Sequence, residues 1–295
     1  MNVSELTKDQ RLKTNDRGSS IKDKRQGVKD CFSLFRFHLL KIFCLWSLVF
    51  GLFFLTGCAS LGTYNTATGR REFIIIPTSS EVVMGQDIHR DILKENELSN
   101  RQDQIERVRR VGQRLAQVSD RQDYQYRFFV IEKNEINAFT TPGGNVYIYS
   151  GLLDKLKTDD QIAAVLAHEI GHCAARHTIK KFQAAVSYDL IGNIILSQVE
   201  TSDQIKRIAS LSSGAVMSLV FSAYGRKDEY EADRLGVRYM YLADYDLQGM
   251  IETLQVLKQE SKGEDVPLIL RTHPYLNDRL EAVKKEIDNV KTRYE

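Results

Sequence analysis

The stretch Gln161 to His177 (QIAAVLAHEIGHCAARH) constrains this chain more than any other. Apolar side chains cover most of the helix that it predicts, and a helix apolar nearly all round has to be buried. Into that surface the chain sets two imidazoles and a carboxylate, His168, Glu169 and His172. Unpartnered polar groups are costly inside a protein, so these three need partners there. The preceding Thr158-Asp159-Asp160-Gln161 has the form of a capping box, which places the helix start just ahead of Ile162.

His168-Glu169-Ile170-Gly171-His172 reads HExxH. Residues i and i+4 lie on one helix face, so both imidazoles can reach one cation. Zinc suits that arrangement, because it accepts imidazole nitrogen and carboxylate oxygen and keeps a position open for water. Glu169 flanks the first ligand and is placed to take a proton from that water. A catalytic zinc needs a third protein ligand. His177 lies five residues beyond His172 and, on a continuing helix, points away from the ligand face. An elongated motif with a third His would need Gly and His where this chain has Ala175 and Thr178. The better candidate is Glu229 in Asp228-Glu229-Tyr230-Glu231-Ala232-Asp233. Glu229 and Asp233 are again i and i+4, so Glu229 can bind zinc while Asp233 receives the N–H of a ligand His. Glu231 points to the other side and is expected to be a solvated charge.

The surrounding pattern is that of a helix-dominated α+β domain with a small sheet. Helices are expected from Ser80, over Ile105–Val118, over 182–199 and 204–223, over Asp228–Leu242 and Gln248–Glu260, and from Asn277. Strands are expected at Tyr126–Glu132 and Val146–Tyr149, with the turn-rich Thr141-Pro142-Gly143-Gly144-Asn145 between them. Residues 79–295 form the expected catalytic domain, and the Gly/Thr/Ser-rich 58–78 a tether.

Residues 1–57 read as a leader. They hold ten Lys and Arg against five Asp and Glu, which leaves 31 basic and 34 acidic side chains in the remainder. The body has no basic surplus, so a nucleic-acid partner is not expected. The apolar run Ile42 to Leu55 is short for a spanning helix and fits a signal-peptide h-region. Leu55-Thr56-Gly57-Cys58 follows it and resembles a bacterial lipobox, with Cys58 the lipidated residue. An uncleaved membrane anchor is the other reading, and the forty-residue polar stretch ahead of the run leaves a downstream start open. Of Cys31, Cys44, Cys58 and Cys173, only Cys173 falls in the folded body, on the apolar helix, where it reads as buried packing.

HEIGHCAARH (168–177) followed by DEYEADRLG (228–236) resembles the gluzincin metallopeptidases of family M forty-eight, the group of the CAAX prenyl endopeptidase and the bacterial protease HtpX. Asn137-Ala138, VYIYSGLL (146–153), Arg271-Thr272-His273-Pro274 and Asp278-Arg279-Leu280 resemble it too, and the similarity covers roughly 70 to 290. The resemblance implies a zincin-type domain, mostly helical, with a small sheet bordering the cleft. It implies one zinc per chain on His168, His172 and Glu229, with catalysis by Glu169. It also implies that the strand Val146, Tyr147, Ile148, Tyr149 pairs with an extended substrate. His273 corresponds to a late His that either steadies the oxyanion or occupies the open zinc position as a latch.

The chain is most similar to the soluble, lipoprotein-anchored branch in the envelope of diderm bacteria. The implied function is a zinc metalloendopeptidase acting on unfolded or misassembled envelope proteins. It would be anchored by lipid, on the periplasmic face of the outer membrane, with the outer-membrane assembly machinery as a partner. The alternative is a zinc-holding assembly or chaperone-like factor with little turnover, against which the presence of Glu169 argues.

Overall fold

In a computed structural model of the chain, which describes residues 62–196, 213–262 and 266–294, Thr158 caps the HExxH helix. Its side chain accepts from Gln161 N at 3.2 Å, and the Gln161 amide oxygen accepts from Lys157 N at 2.7 Å. Asp159 and Asp160 fill the first turn, where negative charge suits the helix dipole.

The elements run β1 (Thr63–Asn65), β2 (Arg70–Glu72), α1 (Thr78–Glu95), α2 (Gln102–Val118), β3 (Arg127–Ile131), β4 (Ala138–Thr141) and β5 (Asn145–Tyr149). They continue with α3 (Ser150–Leu153), α4 (Asp159–Ala174), α5 (His177–Leu196), α6 (Ser213–Val220), α7 (Arg226–Leu242), α8 (Gln248–Glu260), α9 (Leu268–Thr272) and α10 (Leu276–Tyr294). The architecture is the expected mostly helical α+β. α4 is the central element, and every residue from Gln161 to Ala174 is buried. It packs against α7, α2, α8 and strand β4.

Strand order is β3-β5-β4, with β3 parallel and β4 antiparallel to β5. Alternation along β5 divides the core. Val146 and Ile148 join the cluster around α4, whereas Tyr147 and Tyr149 join a second one with Ile88 and Ile92 of α1 and Phe182 of α5. Tyr147 stacks between Phe129 of β3, at 5.2 Å, and Phe139 of β4, at 4.8 Å. The turn from β4 to β5 needs φ of +80° at Gly143 and +87° at Gly144, values that glycine adopts without a Cβ clash.

Three expectations change. β5 is the central strand with both edges paired, so Val146 to Tyr149 cannot offer backbone groups to a substrate; the outer strands are β3 and β4. The stretch read as a tether contains the antiparallel hairpin β1–β2, which Asn65 ties to Glu72 at 2.9 Å. The helix read through His177 ends at Ala174, and Arg176 turns the chain with φ of +58° before α5 begins. The guanidinium of Arg176 pairs with Glu81, buried on α1, which holds that turn in place. Cys58, the apolar run 42–55 and the early part of the helix expected at 204–223 lie outside the described residues.

Candidate metal centre

Helices α4 and α7 meet at a close crossing. A Cβ on Gly171 would stand 2.8 Å from the Ala232 carbonyl oxygen, and one on Gly236 would stand 3.2 Å from His168 N. Two helices can approach so nearly only where one side has no side chain. The crossing brings the HExxH face of α4 against Glu229 and Asp233 of α7. His273 closes the cluster from the end of α9, its backbone N–H donating to Ile269 O at 2.8 Å.

The ligand atoms of His168, His172, Glu229 and His273 all lie within 4.8 Å of one another. His168 Nε2 and His172 Nε2 are 3.0 Å apart. Glu229 places Oε1 3.4 Å from His172 Nε2 and Oε2 3.7 Å from His168 Nε2. His273 Nδ1 stands 3.3 Å from His168 Nε2 and 3.1 Å from Glu229 Oε1. Glu169 Oε1 lies on the far side of that ring, 3.6 Å from His273 Nε2. None of these side chains, nor Asp233, belongs to a residue more than 6% exposed.

Hydrogen-bond partners fix which nitrogen faces the cluster. The Asp233 carboxylate can only accept, so His168 Nδ1–H donates to it at 2.8 Å and leaves Nε2 with a bare lone pair. Burial pushes the His172 ring well below the usual imidazole range, which keeps it in the neutral, ligating form. Neutral imidazole nitrogens facing each other beside a buried carboxylate are the donor set that a cation such as zinc satisfies. The residues fit one metal ion.

Arg279 of α10 supplies the countercharge. Its Nε and Nη2 donate to the two Asp233 oxygens at 2.8 Å each, and its Nη1 lies 2.7 Å from Glu229 Oε2. Burial opposes the charge on Glu229, but the guanidinium and the His273 ring outweigh it and hold the carboxyl well below the usual carboxylate range. Asp233 is held down in the same way, Arg279 outweighing burial. Glu169 has no such partner, and burial pushes its carboxyl up. The two acids are thus set apart, Glu229 as a permanent anion and Glu169 as a group ready to take a proton.

Residues 102–287 match the profile of Peptidase family M48. The chain belongs to that family. Among characterised M48 relatives it is similar to the "Beta-barrel assembly-enhancing protease" of Yersinia pestis, 27% identical over 191 residues, 62% of this chain and 39% of that protein. It is also similar to the "Mitochondrial metalloendopeptidase OMA1" of Schizosaccharomyces pombe, 27% identical over 237 residues, 79% of this chain and 68% of that one. The Saccharomyces cerevisiae protein of the same name is 35% identical over 164 residues, 54% and 46% of the two chains. The chain therefore spans well under half the length of the Yersinia relative.

The structure brings together His168, Glu169, His172, Glu229, Asp233 and His273, all six nominated from sequence. It adds Tyr224, whose ring stacks on His172 at 4.0 Å, and Arg279. His177 stays outside the group of ligand atoms, as expected, but its surroundings and those of Glu231 differ from the expectation. His177 is buried with Nδ1 2.8 Å from His172 Nδ1, and Glu231 is not a solvated charge, since its Oε2 lies 3.3 Å from His177 Nε2. Glu231 does face away from the Glu229 side of α7, as its position predicts, but His177 and Arg70 of β2 meet it there.

Proposed function

We propose that this chain is a zinc metalloendopeptidase of the bacterial cell envelope that hydrolyses unfolded or misassembled proteins. The observation that carries the proposal is the convergence of His168, His172 and Glu229 with Glu169 alongside. Zinc held there supplies a Lewis acid for water and for the scissile carbonyl. Glu169 accepts the proton of the attacking water, and burial gives its carboxylate the raised basicity that the task needs. Asp233 and Arg279 hold His168 and Glu229 in position.

Outer strand β4, buried as its residues are, keeps main-chain groups for an extended substrate that the paired β5 does not. Tyr149 N donates to Asn137 O, so in the antiparallel alternation the backbone groups of Ala138 and Thr140 face away from β5. β4 also lies directly on the HExxH helix, with Thr140 Oγ1 2.7 Å from Cys173 Sγ. A peptide added there would run beside the metal cluster, paired through its main chain.

The envelope placement rests on the lipobox-like Leu55-Thr56-Gly57-Cys58 after the apolar run, and on a relative named for β-barrel assembly. We assign attachment to lipid on Cys58 from that motif. Outer-membrane assembly machinery is the proposed partner.

The closed centre also favours a second reading, a zinc-holding assembly factor with little turnover, because His273 stands among the ligand atoms, where it would compete with water for a metal. Zinc analysis and casein cleavage by the purified chain, with and without chelator, decide between them. Chelator-sensitive cleavage by the chain or its His273→Ala variant supports the peptidase. Bound zinc with no cleavage by either supports the assembly factor.

A further inference from the structure

His177 lies beyond the HExxH motif on the next helix, yet its ring is 2% exposed and packed edge-on against His172, 4.9 Å between centroids. The two Nδ1 atoms are 2.8 Å apart. Two nitrogens at that distance share one proton, since two N–H groups would repel and two bare lone pairs would leave a buried contact unsatisfied. The other end of His177 decides where that proton resides. Its Nε2 faces Glu231 Oε2 at 3.3 Å, with Asp228 Oδ1 at 3.7 Å. A carboxylate only accepts, so His177 turns an Nε2–H to Glu231, and the tautomer that completes the relay presents a bare Nδ1 to His172. The shared proton therefore sits on His172 Nδ1, which leaves His172 Nε2 free to face His168 Nε2 and Glu229.

Further contacts hold this chain of bonds. Arg70 of β2 places Nη2 2.7 Å from Glu231 Oε1, so the carboxylate is braced on the side away from His177. The left-handed turn at Arg176 swings His177 back against α4; a continuing helix would carry it away. Tyr224 stacks on the open face of His172 and limits rotation of that ring. His168 has a comparable but shorter arrangement, its Nδ1–H donating directly to Asp233. Helix α7 thus carries three carboxylates at alternate positions: Glu229 faces the cluster, Asp233 orients one histidine, and Glu231 reaches the other through an intermediary.

We propose that His177 is the positioning residue of His172, fixing its tautomer through a relay that ends on Glu231. The proposal rests on the zinc reading of the cluster. The relay does for the second imidazole what Asp233 does for the first, and groups in that role typically alter metal affinity by about 10- to 100-fold.

The test is zinc affinity of the purified full chain, measured by competition with a chromophoric chelator, alongside thermal unfolding of each zinc-free variant. His177→Ala is expected to weaken zinc binding by about 10- to 100-fold. Glu231→Ala is expected to weaken it in the same direction, because His177 can then place its hydrogen on Nδ1 and force His172 to turn its own onto Nε2. His177→Gln, whose amide oxygen still accepts the His172 Nδ1–H, is expected to stay within roughly threefold of the parent. In the His177→Ala background, Glu231→Ala is expected to add little, since the relay is already broken. A purely structural His177 would lower the melting temperature without that coupling and without rescue by Gln.

Nitrogen-15 spectra of the histidines give a second readout, with His172 protonated at Nδ1 in the parent and not uniformly so in Glu231→Ala. If His177→Ala does not fold, the Gln and Glu231 variants carry the test. Zinc affinity within twofold of the parent in Glu231→Ala, or additive losses in the double variant, would overturn the relay. A parent chain that binds no zinc would overturn the zinc reading itself.

Discussion

His273 Nδ1 stands 3.3 Å from His168 Nε2 and 3.1 Å from Glu229 Oε1, inside the group of atoms that would surround a cation. A histidine there competes with water for the metal, the geometry of a latch. His273→Ala is therefore expected to raise casein hydrolysis by the purified chain while zinc stays bound. A fall of about 100- to 1000-fold with zinc retained would instead assign it to the oxyanion. A change smaller than about twofold would leave it with neither role.

Glu169 is the one acid in the cluster whose carboxyl is pushed up and which lacks an arginine partner. Glu169→Gln keeps the shape and removes the proton acceptor. Zinc content should be unchanged, and peptide hydrolysis should fall by at least the roughly 100-fold that general-base catalysis contributes. Undiminished cleavage by the zinc-loaded Gln variant would remove Glu169 from the mechanism.

Arg279 neutralises two buried carboxylates, Glu229 and Asp233. Replacing it with Met strands both charges, and loss of one partner of a buried pair typically costs about 3–5 kcal/mol. Arg279→Met should lower the melting temperature of the zinc-free chain markedly, whereas zinc should restore part of the loss by supplying positive charge. Calorimetry with and without zinc measures both effects. Equal melting temperatures for the two zinc-free proteins would contradict the countercharge role.

Cys173 is buried against Thr140, and burial pushes its thiol up to about 12. The thiolate is the reactive form, so alkylation of the native chain at pH 8 should be negligible at this position. Peptide mapping after iodoacetamide treatment should find Cys173 modified only when denaturant is present.

What could be read from the sequence depended on distance along the chain. The helix cap at Thr158, the HExxH face and the Glu229–Asp233 pair are local patterns, each within one or two helical turns, and each stands where expected, although Gln161 reaches back to Lys157 N and not to Thr158 N. His177 stands outside the ligand group as expected, but its contact with His172 is not legible, because no local signal marks a left-handed turn at an arginine. The direction of Glu231 is legible for the same local reason, but nothing in α7 itself tells that His177 and Arg70 meet it there. β4 is four residues long and carries two threonines, too short to show alternation, so the central place of β5 between β3 and β4 is not legible in the sequence. Arg279 was noticed only as part of a motif, because its two partners lie 46 and 50 positions earlier.

The contact between Gly171 and the Ala232 carbonyl sets how far apart two helices can sit, and one of them carries the carboxylates that address His168, His172 and His177. A methyl group at Gly171 would meet that oxygen at 2.8 Å, so α7 would have to retreat and take Glu229, Asp233 and Glu231 with it. The gap between backbones therefore acts as a gauge for ionic radius, set by atoms that touch no ion. Gly171→Ala should widen the gauge and shift preference from zinc towards a larger cation such as cadmium, with the donor atoms unchanged. Selectivity in this centre would then be a property of how two helices cross.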